Sequence, residues 1–509
     1  MSHSIIASLS AILVFAASPV WAQQVRVRDP VMVTPLPSQS GELGNSLCVD
    51  PTDPKRLIVA VSVDPHPSEP LVDYLGTGMT FSRAHVEVLY SEDGGASWLP
   101  RFRTYGAELE GDPACAFGAD GTAYVGAMPG DSHGRFRDFN VWRSRDGGKS
   151  WDSKPTRIEY PRFFDRAFMV IDHQRSAPHG RLYVVGYGMT RLSDDTLEAP
   201  DQMVAFASDD GGRSFHSPVT ILTGCGETRA RICVTHPGAS ALLSDGALLT
   251  SWFNIYNSYT GVKSPDGSVL SDGARLEFEQ PGLSRVGVAR LSSEGHEFEM
   301  STWVGLSGRW RNEKGEIIGG KYVPALAVDA TKGPYRDRAY LAWSDGSSGR
   351  GEILLSHSTD RGATWSSPEI ISSDRPLDPL EPLNGPNSFN VTAAVNKNGV
   401  VGVFYYTNRS RSERSAEGML VTSADGGRTW SAPVRLIRPD SKALRVTPSE
   451  ARRVAASPYV GSEDGYFYPS CAHGFTTDAN GLFHALVYEY STGHPRLFSV
   501  AATVEDEGR

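Results

Sequence analysis

The chain has 509 residues, 39% of them hydrophobic, and its 59 acidic residues outnumber 49 basic ones, which gives a net charge of −10. The length exceeds that of one ordinary domain and is sufficient to bury a large core. The acidic balance argues against nucleic acid as a general partner. It leaves room for an anionic sugar, because such a ligand needs only a few local arginines.

The first 22 residues have the composition of a secretory signal peptide. An apolar run over residues 5–17 is followed by Val20-Trp21-Ala22, a small-x-small cleavage pattern before Gln23. No Lys or Arg precedes the run, so an N-terminal anchor is the alternative. We predict a signal peptide over residues 1–22 and a mature domain over residues 23–509. The mature chain is expected to be secreted or periplasmic, without stable membrane insertion.

One short pattern, Ser-x-Asp-x-Gly-x-Ser/Thr-Trp/Phe, occurs five times along the chain. Its copies lie at residues 91–98, 144–151, 208–215, 358–365 and 423–430. The Asp can hold a tight turn by bonding to the backbone, Gly permits positive φ, and the aromatic ring packs between layers. We call this pattern the Asp-box. Its regular recurrence indicates a repeat array, and the long third gap predicts a decayed copy near residues 292–295.

A second motif, a short apolar strand, a turn and another apolar strand, precedes each Asp-box and occurs seven times. Each complete unit therefore consists of strand A, turn, strand B, long loop, strand C, Asp-box and strand D. The A strands are predicted at residues 47–50, 114–117, 167–172, 239–243, 325–329, 391–395 and 471–476.

The seventh unit lacks a D strand, and residues 30–34 near the N-terminus supply a matching one. Pairing of that segment with the last unit would close the array into a ring and remove its exposed edges. We therefore predict an all-β fold, a single β-propeller with seven blades, closed by the N-terminal strand. A six-bladed propeller with one misread unit is the alternative.

Five cysteines fit an exported protein with few disulfide bridges. Cys225 and Cys233 flank a short loop and predict one disulfide. Cys48, Cys115 and Cys471 each fall near the start of a predicted A strand, so that two of them can pair and one is left over. No Cys-x-x-Cys or His pairing accompanies them, so we predict no metal site and no cofactor.

The strand order also predicts which face of the propeller carries chemistry. The Asp-boxes share one face with the A-to-B turns, whereas the D-to-A connections and the long B-to-C loops share the opposite face, called here the loop face. Side chains that begin the A strands should surround the channel mouth on the loop face. They are Asn45, Asp112, Asp165, Arg166, His236, Lys321, Tyr322, Asn387, Asn390 and Tyr468. Such a convergence favours a functional site, and a polar plug of the channel is the alternative.

The repeats make the chain resemble the sialidase-like (Asp-box, or BNR-repeat) β-propeller superfamily over nearly its whole mature length. The resemblance implies an exo-α-sialidase-type glycoside hydrolase that acts on terminal acidic sugars, using a Tyr nucleophile and an Asp acid/base, with arginines on the sugar carboxylate. For catalysis it implies Tyr468, or else Tyr322, together with Asp112 or Asp165. For substrate binding it implies Arg166, Arg409 and Asn387.

Two other functions stay open at this point. The family's Phe/Tyr-Arg-Ile-Pro motif is absent, since the first unit has Gly44-Asn45-Ser46-Leu47 at that place, and this favours a non-catalytic propeller that binds a glycan or a protein. The third possibility is a polysaccharide lyase, in which His236 and Tyr322 would remove the proton α to a uronate carboxylate while Arg166 neutralises that carboxylate. A monomer that acts on or binds an anionic glycan is our expectation.

Overall fold

The computed structural model describes most of the strands and turns of the chain. The described residues are 23–34, 44–63, 72–73, 80–81, 85–104, 109–130, 138–160, 163–173, 180–189, 202–223, 232–257, 283–308, 310–311, 317–318, 323–372, 387–408, 416–445, 474–489 and 496–506. The predicted signal peptide and most of the long predicted loops lie outside these ranges.

The first half of the chain forms two N-terminal strands and four blades. The N-terminal strands are β1 (Gln23–Val27) and β2 (Val31–Thr34). Blade 1 contains β3 (Asn45–Val49) and β4 (Leu57–Val63), then a small hairpin of β5 (Val72–Asp73) and β6 (Thr80–Phe81), then β7 (His85–Ser91) and β8 (Leu99–Arg103). Blade 2 contains β9 (Leu109–Phe117), β10 (Ala123–Gly130), β11 (Asp138–Ser144) and β12 (Thr156–Glu159). Blade 3 contains β13 (Phe163–Asp172), β14 (Arg181–Met189), β15 (Gln202–Ser208) and β16 (Val219–Thr223). Blade 4 contains β17 (Ile232–Leu242), β18 (Leu248–Asn257), β19 (Leu283–Leu291) and β20 (Phe298–Gly308).

The second half of the chain forms the remaining three blades. A small hairpin of β21 (Trp310–Arg311) and β22 (Ile317–Ile318) comes first. Blade 5 contains β23 (Ala325–Val328), β24 (Ala339–Asp345), β25 (Glu352–Ser358) and β26 (Glu369–Ile370). Blade 6 contains β27 (Asn387–Val395), β28 (Val401–Asn408), β29 (Glu417–Ser423) and β30 (Val434–Arg435), and a 3-10 helix, Lys442–Leu444, follows it. Blade 7 contains β31 (Phe475–Thr477), β32 (Phe483–Glu489) and β33 (Arg496–Asp506).

The N-terminal strands close the ring. Both β1 and β2 pair antiparallel with β33, where Val25 lies opposite Val504 and Met32 opposite Phe498. The predicted all-β propeller with seven blades is therefore confirmed, and so is closure by the segment around β2. Strand β1, which begins at Gln23, was not predicted. Because the N-terminal strands β1 and β2 pair with β33 in blade 7, the first and last described strands join in one blade and the ring of blades is closed.

The core lies between the blades. The second strand of each blade is covered on both faces by its neighbours, and β4, β24 and β28 are buried along their whole length. Such strands are continuously apolar rather than alternating, as in the sequence Leu-Ile-Val-Ala-Val-Ser-Val of β4. Large rings fill the space between blades, among them the fully buried side chains of Trp343, Tyr340 and Phe404.

The five Asp-boxes form identical turns. In the first, the Ser91 hydroxyl donates to Asp93 Oδ1 at 2.8 Å and accepts from the Gly95 amide at 2.9 Å, while Ser97 Oγ donates to Asp93 Oδ2 at 2.6 Å. The other four copies repeat these bonds. Burial opposes ionisation, but hydrogen bonds such as those from Ser214 and Ser208 prevail and hold the pKa of Asp210 at about 2. The boxes are structural, as the sequence predicted.

Three Asp-box turns, those of blades 3, 5 and 6, and the decayed turn of blade 4 also receive an arginine from the preceding blade. Arg338 of blade 5 donates to the Gly426 carbonyl of blade 6 at 2.6 Å, and Arg290 of blade 4 donates to the Arg361 carbonyl of blade 5 at 2.9 Å. The same contact joins blade 2 to blade 3 and blade 3 to blade 4. The turn geometry therefore presents a backbone carbonyl to the neighbouring blade, which locks adjacent blades together.

Replacing Arg338 by Met should weaken this lock. Met keeps most of the aliphatic stem but removes the charged donor, so the Gly426 carbonyl loses a partner worth about 2 kcal/mol of unfolding free energy. Thermal or denaturant unfolding measures the effect. Arg428→Met, an exposed side chain on the same Asp-box turn, is the matched control and should leave the midpoint unchanged. Equal midpoints for both variants would show that the contact adds nothing.

Candidate functional site

The seven innermost strands run side by side around a central channel. A cavity of about 200 Å³ lies on its axis. Residues of all seven inner strands line it, including Ser46, Ala114, Ala167, Ala239, Ala325, Val391 and Phe475. Since every inner strand begins its blade, all of them enter the ring from the loop face. The side chains just before these lining residues therefore lie together at one mouth.

Three of the inner strands carry a β-bulge with a left-handed residue at this mouth. Asp112, Arg166 and Asn390 have φ of +43°, +53° and +51°, and the pairing register of β9, β13 and β27 shifts at these points. A non-glycine residue in this conformation costs roughly 1–3 kcal/mol and persists only where the surroundings impose it. Bulges redirect side chains next to active sites. Strain at equivalent positions of blades 2, 3 and 6 thus makes the mouth a candidate functional site.

Blade 3 places an acid and a base side by side in its bulge. The Asp165 carboxylate accepts from the Arg166 amide at 2.8 Å, and its other oxygen lies 3.7 Å from Arg166 Nε. The side chains keep 19% and 14% of their exposure, so both are shielded yet reachable from the channel. Partial burial strengthens the electrostatic interaction of such groups with an anionic or cationic ligand.

His236 of blade 4 lies against the same part of blade 3. Its ring centroid is 4.4 Å from that of Tyr187 and 5.2 Å from that of Phe253, with the Phe253 ring stacked. Tyr187 is paired in register with Asp165 across β13 and β14. Asp165, Arg166, Tyr187 and His236 therefore form one cluster, the blade 3–4 cluster. The sequence did not predict Tyr187, because its position near the end of a B strand is given only by the pairing register.

A second unpredicted acid lies near the mouth on blade 2. Glu110 is two residues before Asp112 on β9 and is only 1% exposed. Burial raises its pKa to about 8, and its Oε2 lies 4.0 Å from His85 Nδ1 of blade 1. A buried carboxyl that is neutral near pH 7 beside a strained acid is typical of functional regions. The sequence signal was weak, since Glu110 reads as the polar start of a strand.

Asn387 is used by the fold at the far side of the mouth. Its side-chain oxygen accepts a hydrogen bond from the Gly351 amide of blade 5 at 2.8 Å. Its backbone amide donates to Asn408 Oδ1 at 3.0 Å. Asn45 has a matching role between blades 1 and 7, where its oxygen accepts from the Gly474 amide at 2.7 Å. Substrate binding by Asn387 stays a prediction.

The structure thus places Asp112, Asp165, Arg166 and His236 on successive blades at the loop-face mouth. The remaining predicted side chains, Tyr322, Tyr468, Arg409 and those of the Cys225–Cys233 pair, lie outside the described residues or side chains. The disulfide that the structure describes joins Cys48 of β3 to Cys115 of β9. Within the described ranges, no three His, Cys, Asp or Glu side chains are grouped to hold a metal ion. No helix of those ranges is long and apolar enough to cross a bilayer.

Fold and mouth define a seven-bladed Asp-box propeller with a polar, strained channel entrance. No family model matches the chain, and neither does a curated protein. Among solved structures, it is similar to a protein of unknown function from Dyadobacter fermentans (15% identity, 78% of this chain and 98% of that chain, TM-score 0.45). It is also similar to a Hadza microbial sialidase (16% identity, 87% and 75%, TM-score 0.42) and to an ulvan lyase (13% identity, 82% and 85%, TM-score 0.40).

Proposed function

We propose that the protein is an exported glycoside hydrolase of the exo-α-sialidase type, a carbohydrate-active propeller that acts on terminal acidic sugars. The observation that carries this proposal is the pair of strained bulges on adjacent blades, which hold the Asp112 carboxylate and the Arg166 guanidinium at one channel mouth. An acid and a cation so arranged suit a sugar that carries its own carboxylate next to the bond to be cleaved.

The proposed roles follow from this placement. Arg166 binds the sugar carboxylate, and Asp112 or Asp165 acts as acid/base on the glycosidic oxygen. Tyr468, or else Tyr322, is the proposed nucleophile, on the strength of the resemblance described above. A neutral Tyr avoids bringing a charged nucleophile against an anionic substrate. The net reaction breaks the glycosidic C–O bond and adds one water.

The blade 3–4 cluster supports a second candidate, a polysaccharide lyase. His236 and Tyr187 are in contact, 4.4 Å between ring centroids, beside Arg166. In a lyase, one of the pair would remove the proton α to a uronate carboxylate, and the other would protonate the leaving oxygen, while Arg166 neutralises the carboxylate. In this candidate mechanism, Tyr187 replaces Tyr322, which the sequence analysis had paired with His236.

Product analysis separates these functions. The mature protein is incubated in ¹⁸O-water with sialylated glycans and, separately, with uronic-acid polysaccharides, and products are weighed by mass spectrometry. Free sugar carrying one ¹⁸O establishes the hydrolase, whereas an unsaturated sugar without added water establishes the lyase. If neither appears although a glycan binds, the propeller is a binding protein. Arg166→Gly should lower the yield of either product by roughly 100-fold, and Arg145→Ala, exposed on the Asp-box face, is the control.

Export and the monomeric state belong to the same proposal. The Cys48–Cys115 disulfide supports an oxidising compartment, because such bridges persist mainly outside the cytosol. The closed ring supports a monomer, because pairing of β1 and β2 with β33 leaves the last blade without an open side. N-terminal sequencing of the exported protein, with Gln23 as the expected first residue, tests the first point, and light scattering tests the second.

A further inference from the structure

Glu110 lies at the contact between blades 1 and 2, directly below the strained acid of blade 2. Glu110 is opposite Pro129 in the pairing of β9 with β10, and its side chain faces β7 of blade 1. Both carboxyl oxygens are buried, and no side chain among the described residues donates a hydrogen bond to them. Burial raises the pKa of Glu110 and outweighs the opposing effect of the Val86 amide, which also donates to Thr104 Oγ1 at 3.0 Å. A charged carboxylate is costly at such a place, so the group is held in its neutral form.

Within the part of the chain that the structure describes, the surroundings offer little to compensate a charge on Glu110. His85 Nδ1 of β7 is 4.0 Å away, and two other charged groups of blade 1, Glu87 and Arg103, are paired with each other at 3.4 Å. Strand β4, which also packs on β9, consists of Leu-Ile-Val-Ala-Val-Ser-Val and has no ionisable side chain. Ionised Glu110 would therefore be a buried negative charge at the contact between blades 1 and 2.

We propose that Glu110 is a positioning residue, which fixes the Asp112 bulge at the channel mouth only while it keeps its proton. The neutral carboxyl fills the space between blades 1 and 2 and holds β9 against β7. Once it ionises, the cost of keeping its charge away from water pushes the start of β9 away from blade 1. The inference rests on the proposed function for its effect on activity, but its effect on the bulge is independent of any substrate.

The sign of the pH dependence follows from linkage. The pKa of Glu110 is raised from 4.5 to about 8 in the folded chain, so an opened bulge, where the group regains water, binds its proton less tightly. Stability of the bulge is complete below about pH 4.5 and is lost as the pH rises to about 8. With one proton linked, the opening equilibrium should rise by roughly tenfold per pH unit in this window and level off above it.

Hydrogen–deuterium exchange of the peptide covering residues 109–117 tests this directly. The exchange rate is measured from about pH 5 to about pH 9 and corrected for the intrinsic rate. The corrected rate is then divided by that of residues 163–172, which carry the comparable Arg166 bulge without a buried Glu. This quotient is the exchange ratio. In the wild type, the exchange ratio should rise with pH up to about pH 8 and then level off. In Glu110→Gln, the exchange ratio should not change with pH. Glu87→Gln, which removes an acid paired with Arg103, should behave like the wild type.

Equal pH profiles of the ratio in wild type and Glu110→Gln would overturn the proposal. If Glu110→Gln does not fold, an exchange ratio of the wild type that does not change with pH is sufficient to overturn the proposal. Where a substrate has been found, turnover of the wild type should also fall as the pH rises toward about 8 and level off above it, and that decline should be absent in Glu110→Gln. If no substrate is found, the proposed function fails. The exchange experiment still tests the proposed role of Glu110, because it needs no substrate.

Discussion

Replacing Arg166 by glycine is expected to lower turnover, or binding of an acidic sugar, by roughly 100-fold while leaving the fold intact. Arg166 sits at φ +53°, a conformation that Gly adopts without strain. Relief of that strain, about 1 kcal/mol, offsets the greater freedom of Gly in the unfolded chain, so the unfolding midpoint should change little. The loss then belongs to the missing guanidinium and not to misfolding.

The chain supplies a matched control for this variant. Arg361 has φ +63° and occupies the Asp-box position where the other four boxes have Gly. Its carbonyl, which Arg290 binds, is retained in Arg361→Gly, and only exposed ion pairs such as that with Asp245 are lost. We expect Arg361→Gly to keep full activity. Equal activities of the two glycine variants would remove Arg166 from the site.

The contrast between these two arginines shows what the sequence could and could not predict. The Asp-box is local, because its Ser, Asp and Gly bond within five residues, and so the blades and their number follow from the printed pattern. Arg361 in place of Gly is visible there as a single departure. The bulge at Arg166 depends on pairing between β13 and β14 and on packing across blades, and no local pattern in the sequence predicts it.

The candidate site follows the same division. Strand order alone predicts that Asp112, Asp165, Arg166 and His236 share one face of the propeller, and their role in a site stays a prediction. Tyr187 and Glu110 escaped prediction because their importance comes from contacts between blades, with His236 and His85 respectively. Burial of a carboxyl group beside another blade is a tertiary property.

The interblade arginines extend the point to the fold itself. Arg338 and Arg290 stand in the sequence as ordinary polar residues at strand ends, and nothing local distinguishes them from exposed surface charges. Only the ring brings each of them to the Asp-box carbonyl of the next blade. The repeat therefore predicts the blades, whereas the contacts that hold the blades together emerge only once they stand in order.

Removing the Cys48–Cys115 disulfide should give the largest loss of stability. The bridge joins the inner strands of blades 1 and 2 and spans 67 residues of sequence, for which the chain-entropy model gives about 4 kcal/mol of unfolding free energy. It also lies beside the channel, where Ser46 Oγ accepts from the Cys115 amide at 3.2 Å. The double variant Cys48→Ser, Cys115→Ser should unfold at clearly lower temperature or denaturant concentration than the wild type.

The comparison needs a cysteine that is not part of this bridge, and Cys471→Ser provides it, with an expected midpoint equal to that of the wild type. In a background where Cys225 and Cys233 are both replaced by Ser, mild reduction should reproduce the loss of the Cys48–Cys115 bridge and should have no further effect on the double variant. A midpoint that survives both treatments would mean that packing between β3 and β9 alone holds blades 1 and 2 together. The expected drop would show instead that the propeller needs an oxidising compartment for its full stability, as the proposed export requires.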